Sequence, residues 1–197
     1  RLVATPGCYP TSASLPMAPL VRAGLVGTDR VIVDAASGVS GAGRPPKPTN
    51  TFCAVDEDVT AYGLLDHRHT PEMEMNIGAT VIFTPHLVPM NRGILATCYA
   101  VPAVDGLSTA DVLGCLDDFY RDEPFVVVDE RPPSTKATLG SNAAHLTARV
   151  DDRTGTVIAL AAIDNLGKGA SGAAVQCANL VLGLDETTGL STIGTYP

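Results

Sequence analysis

No apolar run in these 197 residues approaches the roughly 20 needed to span a bilayer, and the N-terminus lacks the charged-then-apolar pattern of a secretory signal. Cysteine is sparse. The five, at positions 8, 53, 98, 115 and 177, are odd in number and carry no C-x-x-C spacing, which argues against a disulfide framework and against a zinc ribbon. A reducing, cytoplasmic setting is the expectation. Basic residues are also in short supply: 13 against 21 acidic ones give a net charge of −8, a field that repels nucleic acid and anionic membranes. There is no internal repeat and no low-complexity tract. An initiator methionine is missing too, and Leu2-Val3-Ala4 reads as the end of a strand, so the chain reads as a fragment whose upstream part is absent. The length suits one domain with a core, with or without a terminal extension.

Thr5-Pro6-Gly7-Cys8-Tyr9-Pro10-Thr11 places a cysteine between a glycine and prolines just ahead of a helix-like stretch over residues 12–23. Pro10 suits a first helical turn, where its missing N–H would have no partner. Free amides at a helix N-terminus favour thiolate over thiol and can pull a cysteine well below its usual pKa, a setting built to make a thiol react. The alternative is a small buried hydrophobe.

Residues 30–36 form a β-branched run ended by the glycine-rich Ser37-Gly38-Val39-Ser40-Gly41-Ala42-Gly43-Arg44. Residues 60–63 read as a short strand leading to His67-Arg68-His69-Thr70-Pro71-Glu72, with Thr70 as N-cap of a helix to about Ile77. Residues 81–87 and 93–101 read as strands whose short junction, 88–92, predicts a hairpin. Ser108 caps a helix to Tyr120, with Val112, Leu113, Leu116, Phe119 and Tyr120 on its apolar side. Runs at 125–128, 144–148 and 156–163 read as antiparallel neighbours, the connections being short for helical crossovers. The sum is an α+β fold, a mixed and largely antiparallel sheet covered by helices.

Gly167, Gly169 and Gly172 match G-x-G-x-x-G between a strand-like and a helix-like run. A dinucleotide fold needs a second parallel strand afterwards, and the polar residues 183–197 offer none, so the Rossmann reading fails there. His67 and His69, one residue apart, would face one side of an extended segment. Metal ligation would need a third ligand that no spacing selects, so no metal is assigned. Satisfied structural histidines and an acid/base role both remain open. Arg44 and Arg68 could each fork onto a carboxylate or phosphate, or be solvated.

These motifs, with Pro85-His86-Leu87, Arg92-Gly93 and Asp164-Asn165-Leu166-Gly167-Lys168-Gly169, occur in this order in one family. From end to end the chain resembles the N-acetyl-gamma-glutamyl-phosphate reductases of arginine biosynthesis, closest to actinobacterial members. One departure is Thr5, where many members have Asn. The resemblance implies a fold similar to the catalytic domain of semialdehyde dehydrogenases. Residues 1–165 would then be the catalytic and dimerisation domain. Residues 166–197 would be a helix and tail returning to an N-terminal nucleotide-binding domain that lies outside this sequence, leaving Val175, Leu180, Val181 and Leu182 uncovered.

The resemblance further implies an NADPH-dependent reduction of a small-molecule acyl phosphate through a cysteine thioester, in a homo-oligomer, dimer or tetramer. Cys8 would be the nucleophile and His67 the acid/base residue. Arg44, Arg68 and His69 would contact substrate anions; Ser37, Gly38, Asn165 and Gly167 would lie on the NADP side. A cofactor-free Cys-His acyl hydrolase or transferase, another semialdehyde dehydrogenase, and a purely dimerising fragment are the rivals. On this reading the fragment alone is expected to be nearly inactive, most of the cofactor's binding surface being outside it.

Overall fold

The computed structural model describes residues 2–196. In chain order the elements are α1 (Cys8–Arg22), β1 (Val31–Gly38), α2 (Phe52–Val55), β2 (Thr60–Ala61), α3 (Thr70–Ile77), β3 (Val81–Val88), β4 (Ile94–Ala100), α4 (Thr109–Tyr120), β5 (Val126–Val128), α5 (Thr135–Thr138), β6 (Ala144–Val150), β7 (Val157–Ile163) and α6 (Gly172–Leu182). The strands form one mixed seven-stranded sheet in the order β2-β3-β1-β4-β7-β6-β5.

Side-chain alternation divides the sheet into a covered and an open face. Val31, Val33, Phe83, Ala96, Cys98 and Ala159 point towards α1, α3 and α4 and are buried. Their neighbours point the other way. Ile32 stands opposite Ile82 and Tyr99, and Tyr99 opposite Ile158, so this apolar row runs across four strands on the face opposite α1, α3 and α4. Ile32 and Ile82 are 37% and 41% exposed.

α1 lies at the centre of the covered layer although it contains Pro16 and Pro19. A proline at 19 cannot donate to the carbonyl of Leu15, and the Tyr120 hydroxyl on α4 donates to that oxygen instead, at 2.7 Å. The Ser108 cap forms as expected: its hydroxyl accepts from the Asp111 N–H, and the Asp111 carboxylate accepts from the Ser108 N–H.

Several local expectations are corrected. β3 and β4 make no hairpin, because β1 lies between them, parallel to β3 and antiparallel to β4. The chain reaches β3 from β1 by way of α2, β2 and α3, which leaves β1 as the inner partner. β5 and β6 are parallel, since the connection carrying α5 is long enough to cross over; only β6 and β7 meet as the expected antiparallel pair. α1 begins at Cys8 itself rather than four residues later. His69, in helical conformation, precedes α3, and Thr70 is its first residue. A five-residue π-helical turn, Gly167–Ser171, comes before α6. Residues 2–4 pair with no strand. No strand follows α6 among the described residues, in keeping with the rejected Rossmann reading; the tail folds back so that Asn142 N–H donates to Ser191 O and Thr195 N–H to Leu139 O.

Candidate active site

Cys8 is the first residue of α1, with Gly7 as N-cap in extended conformation. Two glycines let other groups close on it. A Cβ on Gly7 would stand 2.6 Å from Nε2 of His69, and one on Gly169 would stand 2.8 Å from the Cβ of Cys8. The glycines at 167, 169 and 172 are therefore packing requirements. A Cβ at 167 or 172 would collide with Ser141 O or Asn142 Oδ1. At Gly169 the π-helical turn fits against the start of α1 because that position is bare.

The Gly7 N–H, a free amide ahead of the helix, donates to Glu72 Oε1 on α3 at 2.9 Å. That bond ties the turn before Cys8 to the turn after His69. His67 and His69 lie on a turn rather than an extended strand, yet their ring centroids are 5.0 Å apart. Both pack edgewise on the Tyr9 ring, at 5.6 and 6.2 Å. The His69 N–H donates to Nδ1 of His67 at 3.1 Å, which fixes the neutral His67 tautomer with its proton on Nε2. His69 is buried, and its Nδ1 has no hydrogen-bond partner among the described residues.

Cys8, Tyr62, His67, Arg68 and His69 line one cavity of about 740 Å³, joined by Gly41, Ala42 and Lys47. Arg68 has no carboxylate partner among the described residues. Burial pushes the Cys8 thiol up; the backbone N–H groups of Tyr9 and Cys8, and then Arg68, pull it down, while Glu72 adds to the rise. In this chain burial outweighs the groups that pull the thiol down. Burial, then the Arg68 charge, pushes both His67 and His69 below the ordinary imidazole range. Both rings are consequently neutral at neutral pH.

The remaining candidates lie elsewhere. Arg44 is exposed beyond Gly43 and does not line the cavity. Ser37 is buried, its hydroxyl donating to Gly38 O at 3.1 Å, and Gly38 N–H donates to Gly93 O at 2.9 Å. Asn165 spends both ends of its amide within the protein: Oδ1 accepts from Gly93 N–H at 2.7 Å and Nδ2 donates to Ser40 Oγ at 3.0 Å. Gly167 N–H donates to Asp164 Oδ1 at 3.0 Å. Asn165 thus joins Gly93 to Ser40 of the glycine-rich loop, whose residues 41 and 42 reach the cavity.

Tyr9, Tyr62, Lys47 and the Asp164–Arg92 pair escape a reading of the sequence. Asp164 has no exposed side-chain surface; it accepts from the N–H groups of Gly140, Leu166 and Gly167 and pairs with the Arg92 guanidinium at 2.8 Å. No spacing could have found it, since Arg92 is 72 residues away.

Residues 8–165 match the family model described as semialdehyde dehydrogenase, dimerisation domain. Among curated proteins, an N-acetyl-gamma-glutamyl-phosphate reductase of Desulforudis audaxviator (strain MP104C) is 53% identical over 205 residues, covering 100% of this chain and 59% of the relative. That of Pelobacter propionicus is 48% identical with the same coverage. The chain thus spans about three fifths of the length of these relatives. Among solved structures, aspartate semialdehyde dehydrogenase II from Vibrio cholerae matches with a TM-score of 0.73 at 17% identity, over 91% of this chain and 62% of that one. A probable aspartate-semialdehyde dehydrogenase from Pseudomonas aeruginosa gives 0.72 at 18%, over 92% and 62%. An α+β fold shared with the dehydrogenases and a family model matched from Cys8 to Asn165 lead to one statement: the chain belongs to the semialdehyde dehydrogenase dimerisation-domain family.

Proposed function

We propose that the protein carrying this chain reduces N-acetyl-glutamyl 5-phosphate to the 5-semialdehyde, releasing phosphate, with Cys8 as nucleophile and NADPH as reductant. The observation that carries the reading is the cavity in which a helix-N-terminal cysteine, two neutral imidazoles and an unpaired Arg68 converge, in a chain at least 45% identical to several reductases of that name.

Sulfur forms a bond to the acyl carbon as the bond to the phosphate oxygen breaks, and phosphate leaves with the electron pair, giving a thioester on Cys8. Arg68 offsets the charge of the departing phosphate and draws the thiolate into being. His69, whose ring packs against Gly7 next to Cys8, would take up the thiol proton. His67 presents Nε2–H as donor to the carbonyl oxygen and moves that proton as the thiohemiacetal forms and collapses.

A cavity of this size would take a substrate together with a nicotinamide ring. Residues 41 and 42 would hold it, supported by Ser37, Gly38, Asn165 and Gly167. When bound, the nicotinamide supplies the hydride that reduces the thioester. α6, whose Val175, Leu180, Val181 and Leu182 are exposed, would pack on the nucleotide-binding domain. The open sheet face, with Ile32, Ile82, Tyr99 and Ile158 in one row, would pair with a second copy of the protein.

The test is NADP reduction by the complete natural protein with N-acetylglutamate semialdehyde and phosphate. Cys8→Ser should abolish it. Acyl-phosphate cleavage that proceeds undiminished without nicotinamide would replace this reading with a hydrolase.

A further inference from the structure

The hydroxyls of Tyr9 and Tyr62 stand 2.9 Å apart, joining the residue after the nucleophile to the opposite wall of the cavity. Tyr62 is 37% exposed and is pinned a second time by its backbone N–H, which donates to Pro85 O at 3.1 Å. The chain from there to His67 is tight. Gly63 has φ +55°, and Leu65, which is not glycine, has φ +65° with its side chain in solvent. A non-glycine residue in that conformation persists only where its surroundings over-determine it.

The His67 ring is what this loop presents. It sits among the edges of Tyr9, Tyr62 and Phe83, with centroids at 5.6, 5.7 and 5.1 Å. Gly63 leaves it room, since a Cβ there would stand 3.1 Å from Cδ2 of His67.

We infer that Tyr62 is a positioning residue for His67: its hydroxyl bond to Tyr9 holds the strained loop so that the imidazole keeps one tautomer and one orientation towards the cysteine's cavity. This rests on His67 handling protons in the proposed reaction. Tyr62 makes no claim on the substrate, and Tyr9 and Tyr62 act as one unit.

In the complete protein, Tyr62→Phe removes one oxygen and should lower kcat about tenfold, a fraction of the hundredfold that a 1 Å misplacement can bring, with KM for the semialdehyde within about twofold. Tyr9→Phe should do the same, and the double variant should be no worse than either. In a His67→Asn background Tyr62→Phe should cost nothing more. The second readout is nitrogen NMR of His67: one tautomer in the wild type, a mixture in Tyr62→Phe. A raised KM with kcat intact would make Tyr62 a substrate contact and overturn the inference. So would losses that multiply in the double variant, a further loss in the His67→Asn background, or an unchanged His67 tautomer. A tautomer response in a protein whose turnover ignores Cys8→Ser would support the tether while sinking the functional reading, so the two failures are distinct.

Discussion

Gly169 lies against Cys8 with no room for a methyl group: a Cβ there would be 2.8 Å from the Cβ of Cys8 and 3.3 Å from Asp164 O. The atoms in the way belong to the start of α1 and to the backbone, so they cannot swing aside. Gly169→Ala should push the first turn of α1 off its place, costing about 1 to 3 kcal/mol of stability and lowering kcat by tenfold or more. Thermal unfolding together with steady-state kinetics of the complete protein checks both. A full-rate variant with unchanged Tm would mean the two segments are not in contact.

Gly114 is the opposite case. It is exposed in the middle of α4, in ordinary helical backbone, and a Cβ there meets nothing within 4 Å. Gly114→Ala should stabilise by about 0.5 to 1 kcal/mol, because alanine loses less backbone entropy on entering a helix. A rise in Tm of about 1 to 4 °C at unchanged kcat is the expected result.

These two glycines show where the sequence was legible. Composition and period revealed a helix at 109–120 and its Ser108 cap, and the strand runs were found within a few residues, because local patterning determines them. Pairing partners are a different matter. β1 separates β3 from β4 by inserting between them, and nothing in residues 88–92 records that. Of the site, Cys8 and the His67-Arg68-His69 turn stood out through residue type and motif order, and the structure brings them into one cavity. Arg44, chosen on the same grounds, lies outside it. The Tyr9–Tyr62 bond and the Asp164–Arg92 pair depend on long-range closure, so they emerge only from the fold. The setting of the thiol was legible only in part. A helix N-terminus can be read from a sequence, but the burial that outweighs it cannot.

Asp164 predicts an acid-side loss of stability. Burial alone would raise its pKa, but the N–H groups of Gly140, Gly167 and Leu166 and the Arg92 guanidinium outweigh it and hold the carboxyl below the ordinary range. A carboxyl depressed in the folded state stabilises fully above the unfolded value of about 3.9, and that contribution fades as pH falls through the lower folded value. Asp164→Asn should cost on the order of 3 kcal/mol at pH 7, since it leaves Arg92 and buried amides without their acceptor. Denaturant unfolding from pH 7 down to about 3 should show the gap between wild type and variant narrowing at the acid end. A gap that stays constant would mean the charge plays no part.

The open sheet face makes a prediction about assembly. Ile82 projects from one end of the open apolar row and is 41% exposed, so Ile82→Lys places an ammonium where a second copy would bury it. In the complete protein the variant should keep its Tm within a few degrees, the side chain being solvent-facing in the isolated subunit, while its mass by light scattering falls towards a single chain. An assembly of wild-type mass at micromolar concentration would show that this face is free and that the subunits meet elsewhere.

Arg68 sets the last expectation, because one cation acts on three groups in the cavity. It favours the thiolate of Cys8 and disfavours the imidazolium of His67 and of His69. Arg68→Gln should therefore move the thiol upwards and both imidazoles upwards, back towards the ordinary histidine range. Iodoacetamide alkylation of Cys8, followed against pH in the complete protein, should show its midpoint shifted to higher pH, and proton NMR should show the two histidines titrating at higher pH than in the wild type. Catalysis should suffer twice over, through fewer thiolates at neutral pH and through loss of the partner for the leaving phosphate, so kcat/KM should fall by about a hundredfold, the weight of one charge-assisted contact of roughly 3 kcal/mol. Histidines that move up while the alkylation profile stays put would show that the guanidinium faces the imidazoles alone, and the assignment of Arg68 to the departing phosphate would go with it.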